Sequence, residues 1–505
     1  MWQYVYLVST IGINDIMFSF LVRRPPLTLL LKPALTKSPI TRPSNTYVKR
    51  MLSDLYPKLI KQQVTWFLRQ NEFSSGELNE GVIKSFMSNS LPACSPTEDR
   101  AAEVKLNLPS DEPTHRYIFG VFDGHAGGEC AQLISERIFS YIAVMLSPYS
   151  ILEKIQKEEL NPCHDLTFRF NHKGSYYNSH MDKRYKAALQ KLANDLLESP
   201  NHDCSKEDLL KGAFMRLDHD LLAECIPKEG QDDLIDLECL SLAFTGSCAN
   251  IAYIHGRNVY VANTGDCRAI IGQQNHKGEW LPVALSKDHD VNNANEVQRI
   301  YNQHPGEEST VIRNGRLLGD LAPLRAFGNA RYKWPARVMK HILNICFNPN
   351  AISVYGDHLI PKNYHRPPYL TAEPEVIHHA LTPNDKFLVL ASDGLSEYLD
   401  PQKVIDYVAE HMEERQIMTN FSLPREDITI KEINKLLKDR KKSLVQKKED
   451  ENVATHLLRM ALGPDHTSLS QHLSLSEDEV KHYRDDITIT VVYFNTDYIH
   501  VMQRN

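Results

Sequence analysis

Residues 117–128 read YIFGVFDGHAGG, and the fold turns on this stretch. Its first six residues are a short apolar run of β-formers that stops at the turn pair Asp123-Gly124. A buried strand ending this way sets a carboxylate at the rim of a sheet, on rigid backbone. The pattern recurs elsewhere. Residues 386–391 (KFLVLA) lead to Asp393-Gly394, and 486–494 (DITITVVYF), alternating and β-branched, follow directly on Asp485. A further acidic pair, Glu98-Asp99, stands in SPTEDR. Residues 243–254 and 258–271 read as two strands joined by a hairpin at His255-Gly256-Arg257, and 126–148 as a helix. Residues 46–71 read as a lead-in helix split at Pro57, and 71–95 as turn-rich. Three longer polar stretches, 152–231, 331–366 and 411–452, interrupt the strands. With no internal repeat, the organisation is one mixed domain of about 400 residues carrying insertions.

Composition narrows the function. Hydrophobic residues are 42% and charged residues 24% of the 505, ordinary for a globular chain with a sizeable core. A net charge of −7 argues against a general nucleic-acid binder. Nine cysteines, an odd number without a CxxC pair, signal neither a zinc site nor a disulfide framework, which fits a reduced intracellular compartment. Residues 16–53 hold seven Lys/Arg and no acid, the composition of a mitochondrial transit peptide. A membrane anchor in the apolar residues 1–22 is the rival, and Asn14 and Asp15 interrupt it. Met17 offers an alternative start, because MFSFLVRRPP opens a more typical presequence.

A lone Asp-Gly is usually only a turn. Several carboxylates at strand ends are different, because gathered together they would repel and raise one another's pKa. Divalent cations remove the conflict, and an all-oxygen ligand set favours Mg²⁺ or Mn²⁺ over Zn²⁺. Gly124 allows close backbone approach, so its carbonyl is a candidate ligand. His125 lies two residues past Asp123, on the same side of an extended chain. The glycines of GHAGG are not followed by GK[ST], and no HRD or VAIK element supports a kinase. The lysines of 431–448 read as a solvated face, with docking to an acidic partner as the sharper alternative.

In order, TEDR, VFDGHAGG, FTGSCANIAYIHGRNVYVANTGDCRA, LSKDHD, RAFG, LASDG and RDDITI resemble the type 2C metal-dependent protein phosphatases from about residue 92 to 494. SNSLPACSPTEDR, NYHRPPYLTAEPEV and ENVATHLLRMALG further resemble a mitochondrial branch of that family, the pyruvate dehydrogenase phosphatases. The resemblance implies an α+β fold: a four-layer α-β-β-α sandwich of two antiparallel sheets flanked by helices. It implies two metals bridged by Asp123, with the Gly124 carbonyl completing one shell and Asp393 and Asp485 holding the first metal. Glu98 would reach the second metal with Asp99 behind it, and Asp266 would serve a third, weaker site; a turn Asp is the competing reading of Asp266. His125 would protonate the leaving serine oxygen while a metal-activated water attacks phosphorus directly. The branch implies action on the E1α subunit of pyruvate dehydrogenase in the mitochondrial matrix. It also implies docking to the lipoyl domain of the acetyltransferase subunit aided by Ca²⁺, and a separate regulatory subunit. Alternatives are the same chemistry on another phosphoprotein, or a catalytically weak relative serving as a binding module. The implied boundaries are a transit peptide at 1–50, lead-in helix and linker at 51–90, catalytic domain at 91–497 and tail at 498–505. Three positions depart from the family pattern: Cys94 where many members have a phosphate-binding Arg, Asn329 closing RAFGN instead of RAFGD, and Ser396 in DGLS instead of DGLW.

Overall fold

The computed structural model describes residues 58–78, 81–109, 115–171, 179–198, 204–226, 237–346, 360–418, 428–435, 438 and 450–504. The expected presequence at 16–53 and the segment 46–57 of the lead-in lie outside them. Among the described residues no helix is long and apolar enough to cross a membrane.

The 117–122 run becomes the Arg116–His125 strand, and its alternation shows what surrounds it. Tyr117, Phe119 and Val121 point into one apolar cluster, whereas Ile118 and Phe122 point into another. A strand buried on both faces must be central in its sheet. It is flanked by Arg100–Leu106 and Gly246–His255, in a sheet continued by Asn258–Thr264 and Glu375–Ala380 on one side and Thr167–Arg169 on the other. A second sheet runs Phe73–Ser74, Ile83–Leu91, Ile487–Phe494, Asp385–Ala391, Arg268–Gln274, Trp280–Ala284. Neighbours within both sheets pair antiparallel.

The two sheets share one core. Phe86 of the second sheet meets Phe119 of the first edge-on at 5.1 Å, and Leu388, Leu390 and Val492 pack into the same cluster. Phe119→Ala there would cost about 3–5 kcal/mol. Outside the first sheet lie the helices Glu129–Met145 and Lys206–Glu224; outside the second lie Lys61–Arg69, Pro401–Met418 and Val453–Leu462. The result is the expected four-layer sandwich.

Several local expectations are corrected. Residues 71–95 are not simply turns: Ile83–Leu91 is a strand beside Ile487–Phe494. Its polar residues hid it, yet Ser88 and Asn89 are buried, and Asn89 donates to Leu68 O and Thr455 Oγ1, both at 2.7 Å. The Arg100–Leu106 strand, with Glu and Lys in its middle, was also not anticipated. Residues 258–271 are two strands in different sheets, because Gly265 turns the chain at φ +103°. Residues 243–244 belong to the helix Leu237–Phe244, and the expected helix at 126–148 spans Glu129–Met145. Past the last strand the chain forms the helix Thr496–Arg504, whose Ile499 joins the core between the sheets.

Candidate metal centre

The acidic positions converge at one end of the sandwich. Asp123 pairs with Cys248 near the end of its strand, Asp393 follows Ala391 by two residues, and Asp266 sits where the chain passes between the sheets. Carboxylate oxygens of Asp123, Asp266 and Asp393 lie within 4.8 Å of one another. Burial pushes Asp123 well above the usual carboxylate range, and Asp393, Asp99, Asp266 and Asp485 push it further. Asp393 is pushed up to about 7, by burial first and then by Asp266 and Asp485. Asp266 is raised by burial, with Asp288 and Asp290 adding to it. Such a cluster is electrostatically frustrated until positive charge enters.

The chemistry of the donors fits a hard cation. Burial and the neighbouring acids (Asp266 for Cys248, Asp123 for Cys267) push the two thiols beside the carboxylates up. The donors that cluster are the carboxylate oxygens of Asp123, Asp266 and Asp393, which suits Mg²⁺ or Mn²⁺.

The remaining expected residues fall into different places. Asp485 is exposed, contributes to the field at Asp123 and Asp393, and accepts the Asp486 N–H at 2.8 Å. Asp99 is buried and raised, by desolvation first and by Asp486 second. Glu98 is half-buried, and its carbonyl lies so close to Gly124 that any Cβ on residue 124 would overlap it. Gly394 stands in the same relation to the Asp486 carbonyl. Both glycines of the Asp-Gly pairs are therefore needed for close backbone approach. His125 is half-buried, with Nε2 2.7 Å from Asn329 Oδ1.

Three supporting groups were not anticipated. Asp486 is buried, and its two oxygens accept from Ala93 N, Cys94 N (2.9 Å), Thr97 Oγ1 (2.9 Å), Glu98 N (2.7 Å) and Asp99 N (3.3 Å). It folds the 93–99 turn around itself and so places Glu98 and Asp99. Arg484 donates from the same side to Leu91 O and Pro92 O. Finally, Lys333 and Asp218 form a buried ion pair at 2.7 Å that holds the 325–329 loop, Asp218 also accepting from Gly328 N at 2.9 Å. The doubled acid in RDD was a signal for the first of these; nothing local marked Asp218.

Comparison with known proteins adds the family context. A model described as Protein phosphatase 2C matches residues 170–439. The chain is 37% identical over 466 residues to pyruvate dehydrogenase (acetyl-transferring) phosphatase 1, mitochondrial, of Homo sapiens, covering 88% of this chain and 85% of that one. It is 37% identical over 461 residues to the human phosphatase 2 of the same description, with the same coverage. The Saccharomyces cerevisiae phosphatase 1 is 31% identical over 431 residues, covering 80% of this chain and 67% of that one.

Proposed function

The chain belongs to the protein phosphatase 2C family, and from that premise we propose that it is a metal-dependent serine/threonine phosphatase that reactivates pyruvate dehydrogenase by dephosphorylating its E1α subunit. The observation that carries the chemistry is the half-buried cluster of Asp123, Asp266 and Asp393 at the end of the sandwich. The named activity of relatives aligned over 88% of the chain supports the substrate.

In this reading Asp123, Asp393 and Asp485 would hold the first of two cations, Asp123 would contribute to both, and the Gly124 carbonyl would complete one of the shells. Glu98 would reach the second, Asp99 would support it from behind, and Asp266 would serve a third, weaker position. When bound, Mg²⁺ or Mn²⁺ supplies Lewis acidity, neutralising phosphoryl oxygens and making a held water more acidic. The chain's own part is to bind and orient the phosphoryl group and to move one proton. His125 delivers that proton to the serine oxygen as it leaves. Cys94 occupies the place of the phosphate-binding Arg, so recognition of phosphate would rest on the metal centre and other groups.

The finer assignments follow the same branch. We assign residues 1–50 to a transit peptide delivering the protein to the mitochondrial matrix, 91–497 to the catalytic unit, and docking to the lipoyl domain of the acetyltransferase, with Ca²⁺ and a regulatory subunit as modulators. The test is release of phosphate from phosphorylated pyruvate dehydrogenase complex by the purified chain with Mn²⁺, against an unrelated phosphoprotein. Metal-dependent turnover on both alike would leave a phosphatase of another target. No turnover on either, with Mn²⁺ saturating, would overturn the enzymatic reading.

A further inference from the structure

Asn329 departs from the RAFGD pattern, and the structure gives it a task. Its backbone is left-handed, φ 51° and ψ 47°, a region that asparagine tolerates better than most residues. That accounts for an asparagine at the start of the short helix Ala330–Lys333, but not for where its side chain goes. The side chain makes no capping hydrogen bond to that helix. Its Oδ1 lies instead 2.7 Å from Nε2 of His125, 204 residues away in sequence.

The surroundings hold that contact from three sides. Asn329 is buried; its N–H donates to Thr245 O at 2.8 Å, and its carbonyl accepts from Tyr332 N at 2.8 Å. One residue earlier, Gly328 donates to Asp218, and Lys333 donates to both Asp218 oxygens, at 2.8 and 2.7 Å, and to Ala326 O at 2.8 Å. The third side is Gly246, where any Cβ would overlap both Asn329 Oδ1 and His125 Nε2. The start of one strand, the end of another and a loop pinned by a buried ion pair thus meet at a single imidazole edge.

We propose that Asn329 is a positioning residue for His125, its amide oxygen accepting from Nε2–H so that proton delivery falls to Nδ1. This rests on the reading of His125 as the proton donor. An amide oxygen cannot take up the proton, so Asn329 orients the ring and fixes which nitrogen works without itself joining the transfer. Loss of orientation should be felt mainly by a substrate whose leaving group needs a proton.

The test uses the full chain with saturating Mn²⁺, a phosphoserine peptide and p-nitrophenyl phosphate. Asn329→Gly removes the amide without straining a left-handed backbone, and Asn329→Asp keeps an acceptor oxygen there. Asn329→Gly should lower kcat on the peptide about tenfold with KM within about twofold, and cost the aryl phosphate less than about threefold. Asn329→Asp should recover most of the peptide activity. In a His125→Gln background, Asn329→Gly should add less than about twofold. Unchanged peptide kcat in Asn329→Gly, equal losses on both substrates, or Asn329→Asp as impaired as Asn329→Gly would each overturn the proposal. Should His125→Gln itself lose equally on both substrates, the proton-donor reading falls first and the positioning role with it. If His125→Gln discriminates and Asn329→Gly does not, only the positioning role fails.

Discussion

Asp486→Asn swaps one oxygen for an amino group at a site where both oxygens accept. If the amino group takes the Oδ1 place, it faces the N–H groups of Ala93 and Cys94; in the Oδ2 place it faces those of Glu98 and Asp99 and the Thr97 hydroxyl. The hydroxyl can rotate to accept, but a backbone N–H cannot. At least two hydrogen bonds to a buried charged acceptor are therefore lost in either orientation. At about 1.5–3 kcal/mol each, the loss is about 3–6 kcal/mol. One effect opposes it: the Asp486 charge helps raise Asp99, so neutralising it relieves that acid. Burial is the larger cause of the Asp99 shift, so the relief is the smaller quantity. Another effect adds to the loss, because Arg484 loses a neighbouring negative charge. The net loss is a large part of an ordinary stability of about 5–15 kcal/mol. Because the 93–99 turn carries Glu98 and Asp99, Mn²⁺ half-saturation should rise by about tenfold or more, as when groups behind metal ligands are removed. Denaturant unfolding with and without Mn²⁺, together with Mn²⁺ titration of activity, reads both effects. A variant that unfolds with the wild type and needs no more Mn²⁺ would refute the role given to Asp486.

Asp123→Asn and Asp393→Asn should each reduce Mn²⁺-dependent turnover by a factor on the order of a thousand. Without metal the same variants should melt above the wild type, since each removes a carboxyl whose ionisation is opposed by burial and by its acidic neighbours; a lower melting temperature would contradict that electrostatic account. Gly124→Ala and Gly394→Ala should each destabilise by about 1–3 kcal/mol and weaken Mn²⁺ activation, measured by the same unfolding and titration, because the added methyl meets the backbone carbonyl of Glu98 or Asp486. Glu296 supplies a pH test: burial would raise it, but hydrogen bonds from Arg325 and Arg299 win and hold it down to about 2. A depressed carboxylate stabilises the fold above its unfolded value and loses that contribution as pH falls through the folded one. The melting-temperature gap between wild type and Glu296→Gln should therefore be full above about pH 4.5 and narrow toward about pH 2; a gap that widens on acidification would show that the pairing with Arg325 and Arg299 is not its source.

What could be read from sequence was whatever chemistry is local. An apolar run ending in Asp-Gly states its own outcome, because strand, turn and carboxylate are consecutive; this is why Asp123 and Asp393 read as carboxylates at the rim of a sheet. Polar groups buried in the core are another matter, since their partners arrive from far away in sequence. Asn89 looked like part of a turn because Thr455, which it meets, lies 366 residues on. Asp266 looked equally like a turn residue because its three-residue neighbourhood is a turn, and only the passage from one sheet to the other sets it against Asp123 and Asp393. The doubled acid of RDD shows the limit most sharply. Two adjacent aspartates are indistinguishable by composition or period, yet Asp485 is exposed beside the carboxylate cluster while Asp486 is buried under five donors. Both precede the strand that begins at Ile487, so its alternation does not decide which of them faces inward; that choice belongs to the 93–99 turn, whose N–H groups would be left without an acceptor if Asp485 took the inner place. The same reasoning turns a departure such as Asn329 from a blemish into a question about its partner, and His125 is the answer the structure returns.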